Sequence, residues 1–435
     1  MSGLLIAAPA SGSGKTTVTL GLARAFADAG LDLVSGKAGP DYIDPAFHAA
    51  ASGRPCFNYD PWAMRPDLIR ANAALQAGEG SFLLVEAMMG LFDGAMDGTG
   101  TPADLAAMLD LPVVLVVDCS RMSQSVAALV HGYRGYRSDI HVAGVILNKV
   151  GSDRHEAMLR GALEAGGVEI FGVLGRDAAL ALPERHLGLV QAGEHTALEG
   201  FIAHAAAVVR RSCDLQRLAA VAETRRAPPA APAVSRLPPL GAHIAVARDR
   251  AFAFSYEHLL AGWRAAGAAL SFFSPLADEA PDAGADAVYL PGGYPELHAG
   301  ALANAAQFRL GMQAAARRGA RVYGECGGYM VLGEGIVAAD GTGHAMLGLL
   351  PLVTSFAERR RHLGYRRVTP LAGSGFAGPM TAHEFHYSTV LHEGDADRLF
   401  AVTDAVGENL GQAGLRRDTI SGSYMHLIDL APVAA

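Results

Sequence analysis

Charge is scarce in this 435-residue chain, and what there is does not favour the positive sign. Charged residues make up 18 %, and Asp and Glu outnumber Lys and Arg by 43 to 35, a formal net charge of −8. A protein that grips nucleic acid through its phosphates needs a basic face, so that class of partner is set aside. Cysteine is equally sparse. Cys56, Cys119, Cys213 and Cys326 form no Cys-x-x-Cys pair and no zinc spacing, which excludes a disulfide scaffold and fits a reducing compartment. No apolar run reaches the roughly 20 residues of a membrane span. The apolar start Leu4-Leu5-Ile6-Ala7-Ala8-Pro9-Ala10 has no basic leader, and cleavage after it would remove the beginning of a phosphate-binding motif. A cytoplasmic location, with no membrane and no nucleic-acid partner, is the expectation.

Apolar residues, at 51 %, and 52 glycines are plentiful, which suits α/β folds with close helix–sheet packing. The length calls for two domains of roughly 200 residues. Residues 4–8 read as a buried strand and 16–29 as a helix, with Val18, Leu22 and Phe26 on one face. Buried-strand runs recur at 82–85, 113–117, 142–147 and 170–174, and helix-length spacings between them imply parallel pairing. From 223 to 240 proline is too dense for a helix or sheet interior, so this stretch reads as an extended linker between domains 1–222 and 241–435. A second α/β series follows, with strands at 243–247, 269–273, 287–290 and 321–323.

Two motifs carry chemistry. The first is Ala8-Pro9-Ala10-Ser11-Gly12-Ser13-Gly14-Lys15-Thr16-Thr17. A loop that leads from a buried strand into a helix turns backbone N–H groups toward a phosphate. Gly12 and Gly14 permit the tight path, Lys15 reaches the terminal phosphates, and Thr16 offers a hydroxyl to Mg²⁺. Pro9 stands where the strict pattern has glycine. Glu86 ends a buried strand, where such sheets open onto their ligand, and can hold Mg²⁺ directly or through water. Asp41, Tyr42 and Asp44 lie in Gly39-Pro40-Asp41-Tyr42-Ile43-Asp44-Pro45, which also reads as an ordinary polar turn. Asn148 has the donor and acceptor that match an adenine edge, although an Asn at a strand end also serves as a cap.

The second motif is Gly324-Glu325-Cys326-Gly327-Gly328, the cysteine form of a nucleophile elbow. A helix dipole behind Cys326 is expected to lower the thiol pKa. The N–H of Gly327, with that of Gly293 from Pro291-Gly292-Gly293-Tyr294-Pro295-Glu296, would stabilise an oxyanion. The base is open among His426, His383 and His386.

The order of motifs resembles the cobyrinic/hydrogenobyrinic acid a,c-diamide synthase family over essentially the full length. The matching stretches are the phosphate loop, Lys37-Ala-Gly-Pro-Asp-Tyr-Ile-Asp-Pro, Val85-Glu86-Ala-Met-Met-Gly-Leu-Phe-Asp93-Gly94, Leu182-Pro-Glu-Arg185-His186-Leu-Gly-Leu, Leu-Pro-Gly-Gly-Tyr-Pro-Glu, Gly-Glu-Cys326-Gly-Gly-Tyr-Met and His-Glu-Phe-His386-Tyr-Ser. The resemblance implies an N-terminal P-loop domain similar to dethiobiotin synthetase and a C-terminal flavodoxin-like glutamine amidotransferase domain. It implies ATP at Gly12, Ser13, Gly14, Lys15, Thr16, Thr17 and Asn148, and Mg²⁺ at Thr16, Asp41 and Glu86. Substrate carboxylates would be handled by Lys37, Tyr42, Asp44, Asp93, Arg185 and His186. Cys326 would be the nucleophile and His426 its base. The expected activity is ATP- and glutamine-dependent amidation of a corrinoid. Cobyric acid synthase and CTP synthase share this logic, and a partitioning or signalling ATPase is the alternative from another class. Triad amidotransferases carry glutamate two residues after the base, and this chain has Ile428. A polyanionic substrate also calls for basic surface, which Arg359-Arg360-Arg361 with Arg366-Arg367 offers unless that run is simply a solvated face. A homodimer is left open.

Overall fold

The computed structural model describes residues 2–78, 80–181, 184–185, 188–189, 191–195, 197–224 and 234–432. It divides into two compact units, Met1–Val234 and Ser235–Ala435. Residues 235–240, at the end of the proline-rich stretch, therefore fall in the second unit, where Leu237 and Leu240 are buried.

The first unit is built on a fully parallel sheet. Its strands are β1 (Ser2–Ala7), β2 (Leu33–Ala38), β3 (Phe57–Tyr59), β4 (Phe82–Glu86), β5 (Val113–Asp118), β6 (Val142–Val150) and β7 (Ile170–Gly175), in the order β3-β2-β4-β1-β5-β6-β7. The near-continuous apolar runs of β1, β4, β5, β6 and β7 are what a sheet buried on both faces requires. Helix α1 (Lys15–Asp28) follows β1 and buries Val18, Leu22 and Phe26. Helix α2 (Asp44–Ser52) follows β2, with Pro45 in its first turn. The register sets Glu86 beside both Ile6 of β1 and Lys37 of β2. Three adjacent strands thus deliver the phosphate loop, Glu86 and Lys37 to one end of the sheet, the carboxyl end where ligands bind in open α/β folds.

The second unit begins as a parallel sheet of β8 (His243–Ala247), β9 (Ala269–Phe273), β10 (Ala287–Leu290) and β11 (Arg321–Glu325). It continues into β12 (His362–Pro370), β13 (Met380–His386), β14 (Asp397–Asp404), β15 (Asn409–Arg417), β16 (Ile420–Ser423) and β17 (Met425–Leu430). The order is β9-β8-β10-β11-β16-β15-β14-β12-β13-β17. The first five give the 2-1-3-4-5 arrangement of flavodoxin-like folds, with β16 as the parallel fifth strand. Beyond β16 every pairing is antiparallel. Only Tyr424 separates β16 from β17, yet they lie at opposite ends of this antiparallel part. The sheet must therefore curl back on itself, and one continuous run from 420 to 430 links the turn after β11 to the edge of β13. Phe252, Leu290, Phe308, Met312, Val322 and Tyr329 are among the residues of its core. Among the described residues no helix is long and apolar enough to cross a membrane.

Candidate active sites

In the first unit the loop from Ala8 to Gly14 enters α1 through two left-handed glycines, Gly12 (φ 78°) and Gly14 (φ 89°). A Cβ at Gly14 would overlap the amide of Asn148. No side chain caps the N-terminus of α1, which leaves its orphan N–H groups for an anion. Lys15 is buried and folds back over the loop, donating to the carbonyls of Met89 (2.6 Å) and Ala10 (3.4 Å). Burial lowers its pKa, against the pull of Glu86.

Glu86 is the hub. Its Oε1 accepts from the Thr16 hydroxyl (2.7 Å) and from Lys37 Nζ (2.9 Å), and its Oε2 faces His48 Nε2 at 2.6 Å. Burial alone would raise the Glu86 pKa, but Lys37 and His48 hold it well below the usual carboxylate range. Lys37 also meets Asp44 at 2.5 Å and Asp41 at 3.8 Å, and these carboxylates outweigh its burial and raise its pKa. Asp44 is pushed up by burial and by the neighbouring charge of Asp41. Asp41 caps its own turn, accepting from the N–H groups of Ile43 (2.8 Å) and Asp44 (3.1 Å). Tyr42 is buried beside it in the sequence. Asp93 accepts from Gly90 N–H at 2.8 Å.

Asn148 binds the phosphate loop itself, donating to Ser13 O at 2.9 Å, while its Oδ1 accepts from Lys149 N–H. Thr17 donates to Leu180 O at 3.2 Å. Ser13 closes the loop through Ala10 O at 2.8 Å. His186 lies outside the described residues, and only the backbone of Arg185 is described, in the short strand Glu184–Arg185.

Two residues here went unread in the sequence. His48, on α2 one turn after Asp44, is fully buried against Glu86; its place in an i, i+4 pair with Asp44 was the available signal. Lys149, at φ 59°, bridges Gly12 O (2.9 Å) and Asp118 (2.7 Å).

Among the described residues, Asp44, Glu86 and Asp93 lie within electrostatic reach of Lys15, and Asp41, Asp44 and Glu86 within reach of Lys37; a nucleotide would add further negative charge. Hard oxygen donors, Thr16 Oγ1 and Glu86 Oε1, lie in contact at the loop. This donor set fits a hard divalent cation.

In the second unit Cys326 sits between β11 and the short helix α3 (Gly327–Leu332), at φ 47° and ψ −106°. A non-glycine residue there is strained, as the nucleophile elbow demands. Its N–H bonds Ser423 O at 2.8 Å, tying the elbow to β16. The flanking glycines are required by space: a Cβ on Gly324 or Gly328 would overlap backbone or side chains packed against the turn. Gly292 packs against the reactive groups themselves. A Cβ there would overlap the His426 ring and lie 3.2 Å from Cys326 Cβ. The nucleophile and His426 therefore flank one glycine. Gly327 and Gly293 are also neighbours, since a Cβ on Gly327 would stand 3.0 Å from Gly293 N.

The expected low thiol pKa is not what the structure gives. Burial raises it, as do the carboxylates Glu296, Glu325 and Glu384, and a six-residue helix offers little dipole to oppose them. Burial likewise holds His426 down at about 3 and His383, its register partner across β13 and β17, at about 3. His386 is occupied elsewhere. Its Nδ1 meets Ser388 (3.0 Å), its Nε2 meets Glu384 (3.1 Å), and its ring stacks on Tyr424 at 3.7 Å.

His362, Glu384 and His386 bring ligand atoms within 4.8 Å of one another. The two imidazoles stack in parallel, 9° apart, so their lone pairs do not converge on one point. Arg366 already neutralises Glu384 at 2.8 Å. This is a stacked, ion-paired cluster and not a metal cradle.

Both halves match known domain families. Residues 4–190 match the CobQ/CobB/MinD/ParA nucleotide binding domain, and residues 243–432 match the CobB/CobQ-like glutamine amidotransferase domain. Over 434 residues the chain is 72 % identical to a hydrogenobyrinate a,c-diamide synthase of Sinorhizobium sp, covering 100 % of both chains. It belongs to the hydrogenobyrinate a,c-diamide synthase family. Other members of the family extend the similarity. The protein of Rhizobium meliloti (strain 1021) is 68 % identical over 99 % of this chain and 100 % of its own. That of Rhodobacter capsulatus is 51 % identical over 98 % of each. These relatives match across both halves of the chain, the nucleotide-binding and the amidotransferase domain alike.

Proposed function

We propose that this protein amidates the a- and c-carboxylates of hydrogenobyrinic acid, consuming ATP and glutamine. The observation that carries this is the 72 % identity, over the whole of both chains, to a relative of that name. The two sites supply the chemistry the name requires.

A carboxylate resists attack by ammonia, so its oxygen must first become a phosphate leaving group. The acceptor carboxylate attacks the γ-phosphorus of ATP, giving an acyl phosphate and ADP; ammonia then displaces phosphate and forms the amide. Lys15 and the N–H groups at the start of α1 would neutralise the transferring phosphoryl group. Lys37, with Tyr42, Asp44, Asp93, Arg185 and His186, would hold the acceptor carboxylate. Thr16, Glu86 and Asp41 would hold magnesium, which supplies charge neutralisation on the phosphates when bound. Gly12, Ser13, Gly14, Thr17 and Asn148 shape the nucleotide cradle. His48 keeps one oxygen of Glu86 fixed and leaves the other toward Thr16.

In the second unit Cys326 would attack the glutamine side-chain carbonyl carbon. His426 would take the thiol proton and return it to the departing nitrogen, leaving a thioester and ammonia. Gly293 and Gly327 N–H groups would hold the oxyanion. Water then releases glutamate. Two such cycles give the diamide. The domain limits are read as 1–222 and 241–435 with a linker at 223–240, whose last residues, 235–240, pack with the second unit.

The test is product mass on metal-free and cobalt-containing substrate in parallel, with ATP, magnesium and glutamine. A glutamine-dependent monoamide followed by a diamide from the metal-free substrate is expected. Absence of amide on either corrinoid would overturn the proposal.

A further inference from the structure

We infer that Glu325, the residue immediately before the nucleophile, is the carboxylate that orients His426. This rests on the proposed glutaminase roles of Cys326 and His426. A triad base needs an acceptor at Nδ1 so that Nε2 is free to take the thiol proton. At the position two after His426 the chain presents Ile428, buried, incapable of that task and skipped by the register as the extra residue of a β-bulge. The bulge returns Asp429 to the face of His426 but one pair further along β13, where its Oδ1 accepts from Leu430 N–H at 2.7 Å.

Glu325 reaches the histidine from a different strand. Its Oε2 stands 3.9 Å from His426 Nδ1, with both side chains almost wholly buried. Its Oε1 accepts from the backbone N–H of Leu427 at 3.1 Å. One oxygen thus fixes the main chain beside the histidine, and the other faces the ring. Tyr289 holds that second oxygen from behind, donating its hydroxyl at 2.7 Å. A cavity of about 20 Å³, lined by Leu237, Pro238, Trp263 and Phe376 together with Tyr289 and Glu325, keeps the carboxyl in apolar surroundings.

The 3.9 Å separation is wider than a hydrogen bond and belongs to a site without glutamine; such contacts tighten in the substrate complex. Burial pushes Glu325 up to about 8, so at neutral pH it rests largely protonated beside a neutral imidazole. The competent form is the one in which Glu325 has released its proton to solvent and accepts from Nδ1–H: when His426 then takes the Cys326 proton on Nε2, the imidazolium is met by a carboxylate held by the Tyr289 hydroxyl and the Leu427 N–H. Glu325 does not touch substrate, so it is a positioning residue. Because it precedes Cys326 directly, any movement of the elbow moves nucleophile and orienting carboxyl together.

The test is Glu325→Gln, alone and with Ile428→Glu, in the full chain. Glutamine hydrolysis is followed as kcat and KM, and Cys326 labelling by a glutamine-mimicking electrophile as a pH profile. The amide offers N–H to Nδ1 and forces the wrong tautomer. A kcat fall of about 100-fold is expected, on the scale of general acid–base contributions, with KM within about threefold and labelling at neutral pH slowed in parallel. Ammonia-dependent amidation should match wild type. Adding Ile428→Glu, which restores a carboxylate at the usual position, should recover about tenfold of the lost rate. Hydrolysis by Glu325→Gln within about threefold of wild type, or no recovery in the double variant, overturns the inference. A wild-type enzyme that hydrolyses glutamine but amidates no corrinoid sinks the proposed function and leaves this inference standing.

Discussion

The two sites bury polar groups in opposite ways. Around Glu86 the interior holds charges, each compensated by the next: Lys37 between Asp44 and Glu86, and Glu86 shared by Lys37, Thr16 and His48. Around Cys326, apart from the Glu384–Arg366 pair, the interior holds neutral forms. The thiol is raised, His426 lies near 3, and Glu325 and Glu296 are raised to about 8 and about 7, each with burial as the first cause. A pocket for ATP and carboxylates must already be charged, because its ligands arrive charged and must be met by fixed partners. A pocket for glutamine receives a neutral amide and generates charge only during reaction, so its resting state can remain dry and neutral.

The comparison breaks most decisively at Lys15. Lys15→Ala should lower amidation by at least about 1,000-fold, the scale on which charge stabilisation in phosphoryl transfer acts, while basal glutamine hydrolysis persists. Equal loss of both reactions, measured by amide mass and glutamate release, would mean that the units do not divide the chemistry. Cys326→Ser should likewise lose glutamine-dependent amidation by about 1,000-fold, since serine lacks thiolate character. With ammonium salt as nitrogen source its rate should stay within about threefold of wild type and rise with pH toward free ammonia. An enzyme dead with both nitrogen sources would place Cys326 in the synthetase step.

A finer cut lies between two histidines. His426→Ala should slow thioester formation by about 100-fold or more. His386→Ala, which loses its contacts to Glu384 and Ser388 and its stacks on Tyr424 and His362, should slow it by less than about tenfold. The reverse ranking would exchange their roles.

The smallest effect is on stability. His426 and His383 are held near 3 and His258 near 4, so below the ordinary 6.5 the unfolded chain binds more protons and stability falls with falling pH. Glu325 and Glu296 have the opposite sign: raised from 4.5, they weaken the fold as pH climbs through about 7 to 8. The denaturant midpoint of the second unit should therefore peak near pH 6.5. The two tryptophans fall one in each unit, Trp62 and Trp263, so fluorescence of Trp62→Phe reports the second unit alone. Glu325→Gln should flatten the alkaline limb, and an unchanged limb would contradict the neutral burial of Glu325.

Much of this was legible because the signals were local. The strand of β8 matches its run of residues 243–247, β4, β5, β6 and β7 extend one to three residues beyond theirs, and β1 starts two residues before its run of 4–8 and ends one short of it, since uninterrupted apolar runs leave little choice of element. Strands β2 and β3 were missed because Ser35, Gly36, Lys37 and Asn58 are not what a buried strand usually carries; the site, not the core, explains them. The antiparallel strands from His362 to Arg417 were missed for another reason. Their pairing is set by partners far along the chain, and their mixed exposure gives no clean alternation. The same non-locality hid Glu325. It stands between Gly324 and Cys326 with no local mark of a role, and only the return of β17 to β13 brings His426 to it.

Lys15 has one more consequence. Its ammonium is out of water and rests on a backbone carbonyl, Met89 O, with Ala10 O behind it. An arriving phosphate therefore exchanges a dipole for an anion at an ion already stripped of its hydration shell. The reorganisation that usually slows the capture of a charged ligand by a flexible lysine is finished before the nucleotide lands, and what remains is a short swing from one acceptor to a stronger one.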